Sequence, residues 1–239
     1  MKNKQNLEKL WEKVNEYVNK NLVKLPINSL VEKMGCKDEK AISLISAEGN
    51  INIALLGDSG TGKSNLFSRY FTNTFHLDFI STIGMDKQTK IVIFKNHLYR
   101  ISISDTAGQE RFRSLPLKYY KNADGAILLF DITDKNSFVN INSWMADLKG
   151  NAGNGKQVIY IVGNKIDLPE RKVTQEEGTD LANSYGLKYY EMSCKININV
   201  YEILSRLIID CINKLQLGNE EGFKLKRKKT KSKNKKSKC

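Results

Sequence analysis

No apolar run in this chain approaches the roughly 20 residues that cross a bilayer. Nor does the stretch from Met1 to Lys20, charged throughout, contain the apolar core of a signal peptide. Both absences predict a protein made and kept on the cytosolic side. Cysteine is scarce. The four residues, at positions 36, 194, 211 and 239, have no paired spacing and no metal-ligand pattern, so in a reducing compartment they read as free thiols. No internal repeat is visible. Acids are missing from one place in particular: Lys224 to Lys238 holds ten Lys/Arg and no Asp or Glu. Residues 1–50 carry nine basic and seven acidic residues, which leaves 20 basic and 19 acidic in 51–223. The net charge of +13 therefore belongs to the tail, and a fold gripping nucleic acid across a basic face is disfavoured.

What is present divides into three segments: a helical extension at 1–50, an α/β block at 51–217 and a polar basic tail at 218–239. Hydrophobic residues make up 40% of the chain, enough for a proper core. In the extension, Leu7, Leu10, Trp11, Val14, Tyr17, Val18 and Leu22 recur at three- and four-residue steps, one apolar stripe on a helix that Pro26 ends. Ser29 is placed to cap a second short helix through Met34, with Gly35 closing it. The stripe reads as a face that packs on the main domain or self-associates, with a dedicated membrane or partner helix as the alternative. Its acids and lysines are balanced, unlike a basic membrane-surface helix.

The middle block alternates strand-like windows (51–57, 88–95, 98–104, 125–131, 157–163 and 187–192) with helix-like ones (62–73, 136–149, 174–185 and 198–215). Only Asn96-His97 separates 88–95 from 98–104, which predicts a hairpin. The other strands are joined through helices, hence parallel with right-handed crossovers. Segments 125–131 (GAILLFD) and 157–163 (QVIYIVG) are almost entirely apolar, as strands buried on both faces are.

Gly57-Asp58-Ser59-Gly60-Thr61-Gly62-Lys63-Ser64, with Asn65 next, follows an apolar strand and opens a helix, the required context of a phosphate loop. The glycines let successive N–H groups face phosphates. Lys63 is placed to reach the β- and γ-phosphates. The Ser64 hydroxyl is placed to ligate Mg²⁺ beside the positive end of the helix. This loop alone does not separate ATPase, GTPase and kinase. Asn164-Lys165-Ile166-Asp167, at the end of the strand 157–163, does so. The Asp167 carboxylate accepts from both N1–H and the 2-amino group of guanine, whereas adenine would leave it unpaired. Asn164 bonds the purine N7 edge, the Lys165 stem covers the base, and Ser193-Cys194-Lys195 supplies a backbone N–H to guanine O6. Asp105-Thr106-Ala107-Gly108-Gln109-Glu110 ends the strand 98–104. There Asp105 holds Mg²⁺ through a water, Gly108 offers its N–H to the γ-phosphate, and Gln109 orients the attacking water. Thr82, in the long loop after the first helix, is the natural second protein ligand of Mg²⁺, and Phe75 is placed to stack edge-on against the base.

The order GDSGTGKS, TIG, DTAGQERF, NKID and SCK resembles the Ras superfamily across essentially all of 51–215. Within it, FTNTF, STIGMD, DTAGQERFRSL, YYKNADGAILLFDITD and Asn142-Ser143-Trp144 resemble the Rab branch. The resemblance implies a P-loop NTPase G domain of α/β class: a six-stranded, mostly parallel sheet with one antiparallel edge strand and helices on both faces. It implies a GTP/GDP switch that hydrolyses GTP slowly by itself, with Lys63, Thr82 and Gln109 in the catalytic set. It also implies exchange factors, activating proteins and effectors as partners. Two positions depart from the Rab pattern. Lys87 stands where an aromatic is usual, and Ser104 where Trp is usual, so of the usual effector aromatics Tyr119 alone remains. Neither position touches nucleotide in that family, so the departures bear on effector recognition.

Rab-like chains end in cysteines that receive geranylgeranyl groups; here Cys239 alone is available, with no CaaX box after it. One lipid plus a polybasic patch supplies the two signals of stable anchoring, on the cytosolic face of an intracellular membrane. A nuclear-localisation signal around Lys226 to Lys229 and a plain solvated tail are the other readings. The competing function is a GTP-binding scaffold or signalling GTPase, read by non-Rab partners through residues 1–50. A Ran-like nuclear carrier is the third, against which the basic tail counts.

Overall fold

GAILLFD has no polar residue before its last, so neither face of such a strand can meet water. In the computed structural model, which describes residues 47–77, 85–94, 97–106, 122–151 and 157–217, it is β4 (Gly125–Asp131), buried at all seven positions. Around it stand β1 (Gly49–Leu56), β2 (Met85–Phe94), β3 (His97–Thr106), β5 (Val158–Asn164) and β6 (Lys188–Glu191), in the order β2-β3-β1-β4-β5-β6. The β1, β4, β5 and β6 strands run parallel, with Ile53 opposite Gly125, Gly125 opposite Val158 and Tyr160 opposite Lys188. β2 and β3 follow one another with two residues between them, too few for a crossover, and form the antiparallel hairpin expected of 88–95 and 98–104. Thr89 and Ser102 share a hydroxyl hydrogen bond of 2.9 Å across it, and Leu98 O accepts from Glu48 N at 2.8 Å.

The helices are α1 (Lys63–Thr72), α2 (Lys135–Val139), α3 (Ile141–Asn151), α4 (Gln175–Ser184) and α5 (200–217). Alternation along β4 divides them between the two faces. Ala126, Leu128 and Phe130 point to a core shared with Ile141, Met145 and Leu148 of α3 and Ala182 of α4. The opposite face is covered by α5: a Cβ on Gly125 would lie 2.8 Å from Cys211 Sγ and 3.4 Å from Leu207 Cγ. Phe130 is 0% exposed, so Phe130→Ala would cost about 3–5 kcal/mol of stability. α4 starts where a capping box forms: Thr174 Oγ1 accepts from Glu177 N at 3.1 Å, and Glu177 Oε2 accepts from Thr174 N at 2.9 Å.

The window 136–149 is not one helix. It splits at Asn140, whose N–H is drawn to both Asn136 O and Phe138 O. The apolar spacing runs on through the break, so periodicity could not mark it. The helices expected within 1–46, the turn at 95–96 and the tail from 218 lie outside the described residues, as do Thr82, Gly108, Gln109 and Tyr119.

Candidate functional site

Four loops follow the carboxyl ends of β1, β4, β5 and β6, which in a parallel sheet is where ligands bind. The first is the glycine loop. Gly57 has φ 136°, and a Cβ there would sit 2.0 Å from Leu129 O; Gly62 has φ 101°, and its Cβ would sit 2.2 Å from Asn164 Nδ2. Any other residue at either place collides with the neighbouring strand end. α1 begins at Gly62 with no capping side chain and no acid in its first turn. Its N–H groups and dipole thus favour an anion. Lys63 is 4% exposed, and its ammonium donates to Gly57 O at 2.7 Å and Asp58 O at 2.6 Å, arching over the loop. Thr61 Oγ1 donates to Asp58 O at 2.9 Å.

The Asp58 carboxylate is turned toward α3. Oδ1 accepts from Trp144 Nε1 at 2.8 Å and Oδ2 from Asn140 Nδ2 at 2.6 Å. Both oxygens are engaged, which holds a negative side chain on the helix side of the loop. Asn65 fastens the far side of α1, accepting from His76 N at 2.8 Å and donating to His76 O at 3.1 Å.

Asp105, near the end of β3, is 2% exposed. Ser64 hydrogen-bonds the carboxylate, while Oδ1 accepts no hydrogen bond among the described residues. Burial pushes the Asp105 pKa up and Asp86 adds to this; Ser64 and Lys63 oppose it, without cancelling it. A buried carboxylate oxygen with no donor costs about 1–3 kcal/mol or more. Beside a serine hydroxyl, it is the donor chemistry that a hard divalent cation takes.

The loops after β5 and β6 are stitched to the glycine loop by one amide. Asn164, 2% exposed, donates from Nδ2 to Thr61 O at 2.8 Å, and its Oδ1 accepts from Cys194 N at 3.2 Å. Lys165 takes a left-handed φ of 70° and its Nζ lies 2.6 Å from Asp131 Oδ2. Asp167 Oδ1 accepts from Ser193 Oγ at 2.5 Å, and Ser193 Oγ accepts from Ile196 N at 3.2 Å. Burial pushes the Cys194 thiol up to about 12, so it is a neutral packing group. The structure thus gathers 57–65, Asp105, 164–167 and 193–195 at one end of the sheet.

Three features of the site were not foreseen. Asp131 pairs with Lys165; its place at the end of an apolar strand in FDITD was the signal available. Trp144 and Asn140 hold Asp58. Arg69 donates from Nε to Cys194 O at 2.7 Å and from Nη2 to Lys195 O at 2.8 Å, with Cζ 5.6 Å from the Phe75 ring centroid. Lys87 is exposed and Ser104 half-buried.

A glycine loop opening a helix, a buried carboxylate beside its serine, and an Asn-Lys-x-Asp turn tied to the next loop define a P-loop nucleotide-binding protein with a guanine-type base pocket. The family model that matches is the Ras family, over residues 52–213, and the chain belongs to that family. It is 41% identical to Ras-related protein RABE1d of Arabidopsis thaliana over 69% of this chain and 77% of that one. Identity is 40% to Ras-related protein Rab-13 of Bos taurus, covering 68% and 80%, and 41% to GTP-binding protein yptV2 of Volvox carteri, covering 70% and 77%. It is a Rab-branch small GTPase that binds guanine nucleotide, as the motif order implied.

Proposed function

We propose that this chain is a GTP/GDP switch in vesicle traffic, working with Mg²⁺ on the cytosolic face of an intracellular membrane. The observation that carries the metal-dependent part is the buried Asp105 oxygen that has no donor among the described residues, in a carboxylate that interacts with Ser64 and Lys63 of the glycine loop. Ser64, Thr82 and Asp105 hold the metal, which when bound neutralises charge on the β- and γ-phosphates. Lys63 leaves the loop carbonyls for the phosphate oxygens, and the N–H groups of 60–65 cradle them. Asp167 selects guanine by its two donors, with Ser193 fixing one carboxylate oxygen. Asn164 and Lys165 frame the purine, and the 193–195 loop offers an N–H to O6. Gln109 orients the attacking water, and Thr82 and Gly108 sense the γ-phosphate, so the segments 76–84, before β2, and 107–118 relax once it leaves. The phosphate-facing segments 57–65, 76–87 and 105–110 contain no arginine in sequence, Arg111 and Arg113 lying beyond Gln109, so an activating protein supplies one charge in trans.

The tail anchors the switch: Cys239 carries a prenyl group, and the lysines of 224–238 meet anionic lipid, each adding about 1 kcal/mol near the surface. Fractionation of cells making the full chain or Cys239→Ser tests this, together with the mass of the native C-terminus. Membrane association of the wild type, lost in Cys239→Ser, is expected. An unmodified C-terminus, or equal partitioning of the two, contradicts it.

A further inference from the structure

Arg69 lies in the last turn of α1, and its guanidinium serves three backbone carbonyls on two loops. Nη1 takes Asn73 O at 2.9 Å, Nε takes Cys194 O at 2.7 Å and Nη2 takes Lys195 O at 2.8 Å. The guanidinium carbon stands 5.6 Å from the Phe75 ring centroid, and Arg69's own carbonyl accepts from Asn73 N at 3.1 Å and from Tyr201 OH at 2.7 Å. Asn73 itself is left-handed at φ 55°, so the chain turns sharply out of α1 toward Phe75 just where the guanidinium holds it.

A peptide unit is planar and trans, so fixing its C=O fixes the N–H on its opposite side. The bonds to Cys194 O and Lys195 O therefore set the planes of the Cys194–Lys195 and Lys195–Ile196 peptides. Asn164 holds the preceding N–H, that of Cys194, at 3.2 Å. We propose that Arg69 is the positioning residue of the base pocket: by holding Cys194 O it aims the Lys195 N–H at guanine O6, and it couples the 193–195 loop to the Phe75 segment. This rests on the reading that places guanine O6 against the 193–195 loop. Lysine cannot substitute, because a single ammonium lacks the planar fork that reaches two adjacent carbonyls at once.

Affinities of the full chain, its Arg69→Lys and its Arg69→Gln are measured for three nucleotides. GDP is the reference. IDP keeps O6 but lacks the 2-amino group that Asp167 reads. The 6-thio analogue of GDP keeps N1–H and the 2-amino group but has sulfur, a weak acceptor, at position 6. Wild type should bind GDP more tightly than the thio analogue. Both variants should lose about tenfold for GDP and for IDP, about the worth of one N–H to O6 bond, but less than about threefold for the thio analogue. An equal loss on all three nucleotides would mean general loosening and overturn the proposal, as would no loss at all. If wild type does not distinguish GDP from the thio analogue, the placing of O6 itself fails, and the proposal with it.

Discussion

Asp105→Asn removes one negative charge from the buried end of β3 while keeping the side chain's shape. In this structure the carboxylate is a liability: it is 2% exposed and one oxygen has no donor among the described residues. Burial, reinforced by Asp86, lifts its pKa above the ordinary carboxylate value even though Ser64 and Lys63 pull the other way. The native state therefore binds this proton more readily than the unfolded chain does. The cost is absent below the unfolded value of about 4 and grows as pH rises toward the raised folded value. It is complete above that value. At neutral pH the variant, freed of it, should be more stable without nucleotide by about 1–3 kcal/mol. For a domain of this size that is a rise in Tm of about 2–4 °C per kcal/mol. On acidification the difference should close. With Mg²⁺ and GDP the order should reverse, because at the proposed metal site the unpaired oxygen would accept from a metal-bound water. The assay is a thermal melt of the nucleotide-free protein across pH, joined to the GDP release rate in Mg²⁺ and in chelator. Chelation should speed release from wild type, and this effect should shrink about tenfold or more in the variant. A variant with the wild-type chelator response, or a nucleotide-free melt that is lower at neutral pH, would refute the reasoning.

Gln109→Leu should lower single-turnover GTP hydrolysis, both alone and with an activating protein, while GTP affinity stays the same; unchanged rates would remove Gln109 from its role. Trp144→Phe deletes the 2.8 Å bond to Asp58 Oδ1 and leaves that oxygen underused. It should cost about 1.5–3 kcal/mol. GDP release should accelerate several-fold, and Asp58→Ala should add less in this background than it does alone, because only the Asn140 bond is then left to lose. Additive effects in that double-mutant cycle, read by release kinetics, would show the bond to be incidental.

The carboxyl-end loops were legible because their chemistry is local in sequence. Glycines that need left-handed backbone, an anion-binding helix start and the NKID turn each announce themselves within a few residues. The strand windows match within a few residues, β2 beginning at Met85 rather than 88, since apolar runs and alternation mark strands better than their ends. Arg69 was not legible: FSRYF reads as an ordinary helix end, and its partners Cys194 and Lys195 stand 125 and 126 residues further along. The break at Asn140 was hidden for a similar reason. Phe138, before the break, and Ile141, Met145 and Leu148, after it, preserve the helical spacing, while the partner of the Asn140 side chain is Asp58, 82 residues away. Asp131 lay between these cases, a carboxylate in plain view whose meaning depended on Lys165.

Guanine recognition by Asp167 is the claim on which the rest of the site reading stands, and it is tested most directly by titrating GTP and XTP into wild type and Asp167→Asn. The amide keeps one acceptor and gains donors that suit the C2 carbonyl of xanthine. GTP affinity should fall by about 100-fold, near 3 kcal/mol, while XTP binding strengthens. Equal GTP affinity in the two proteins, with no gain for XTP, would contradict the account.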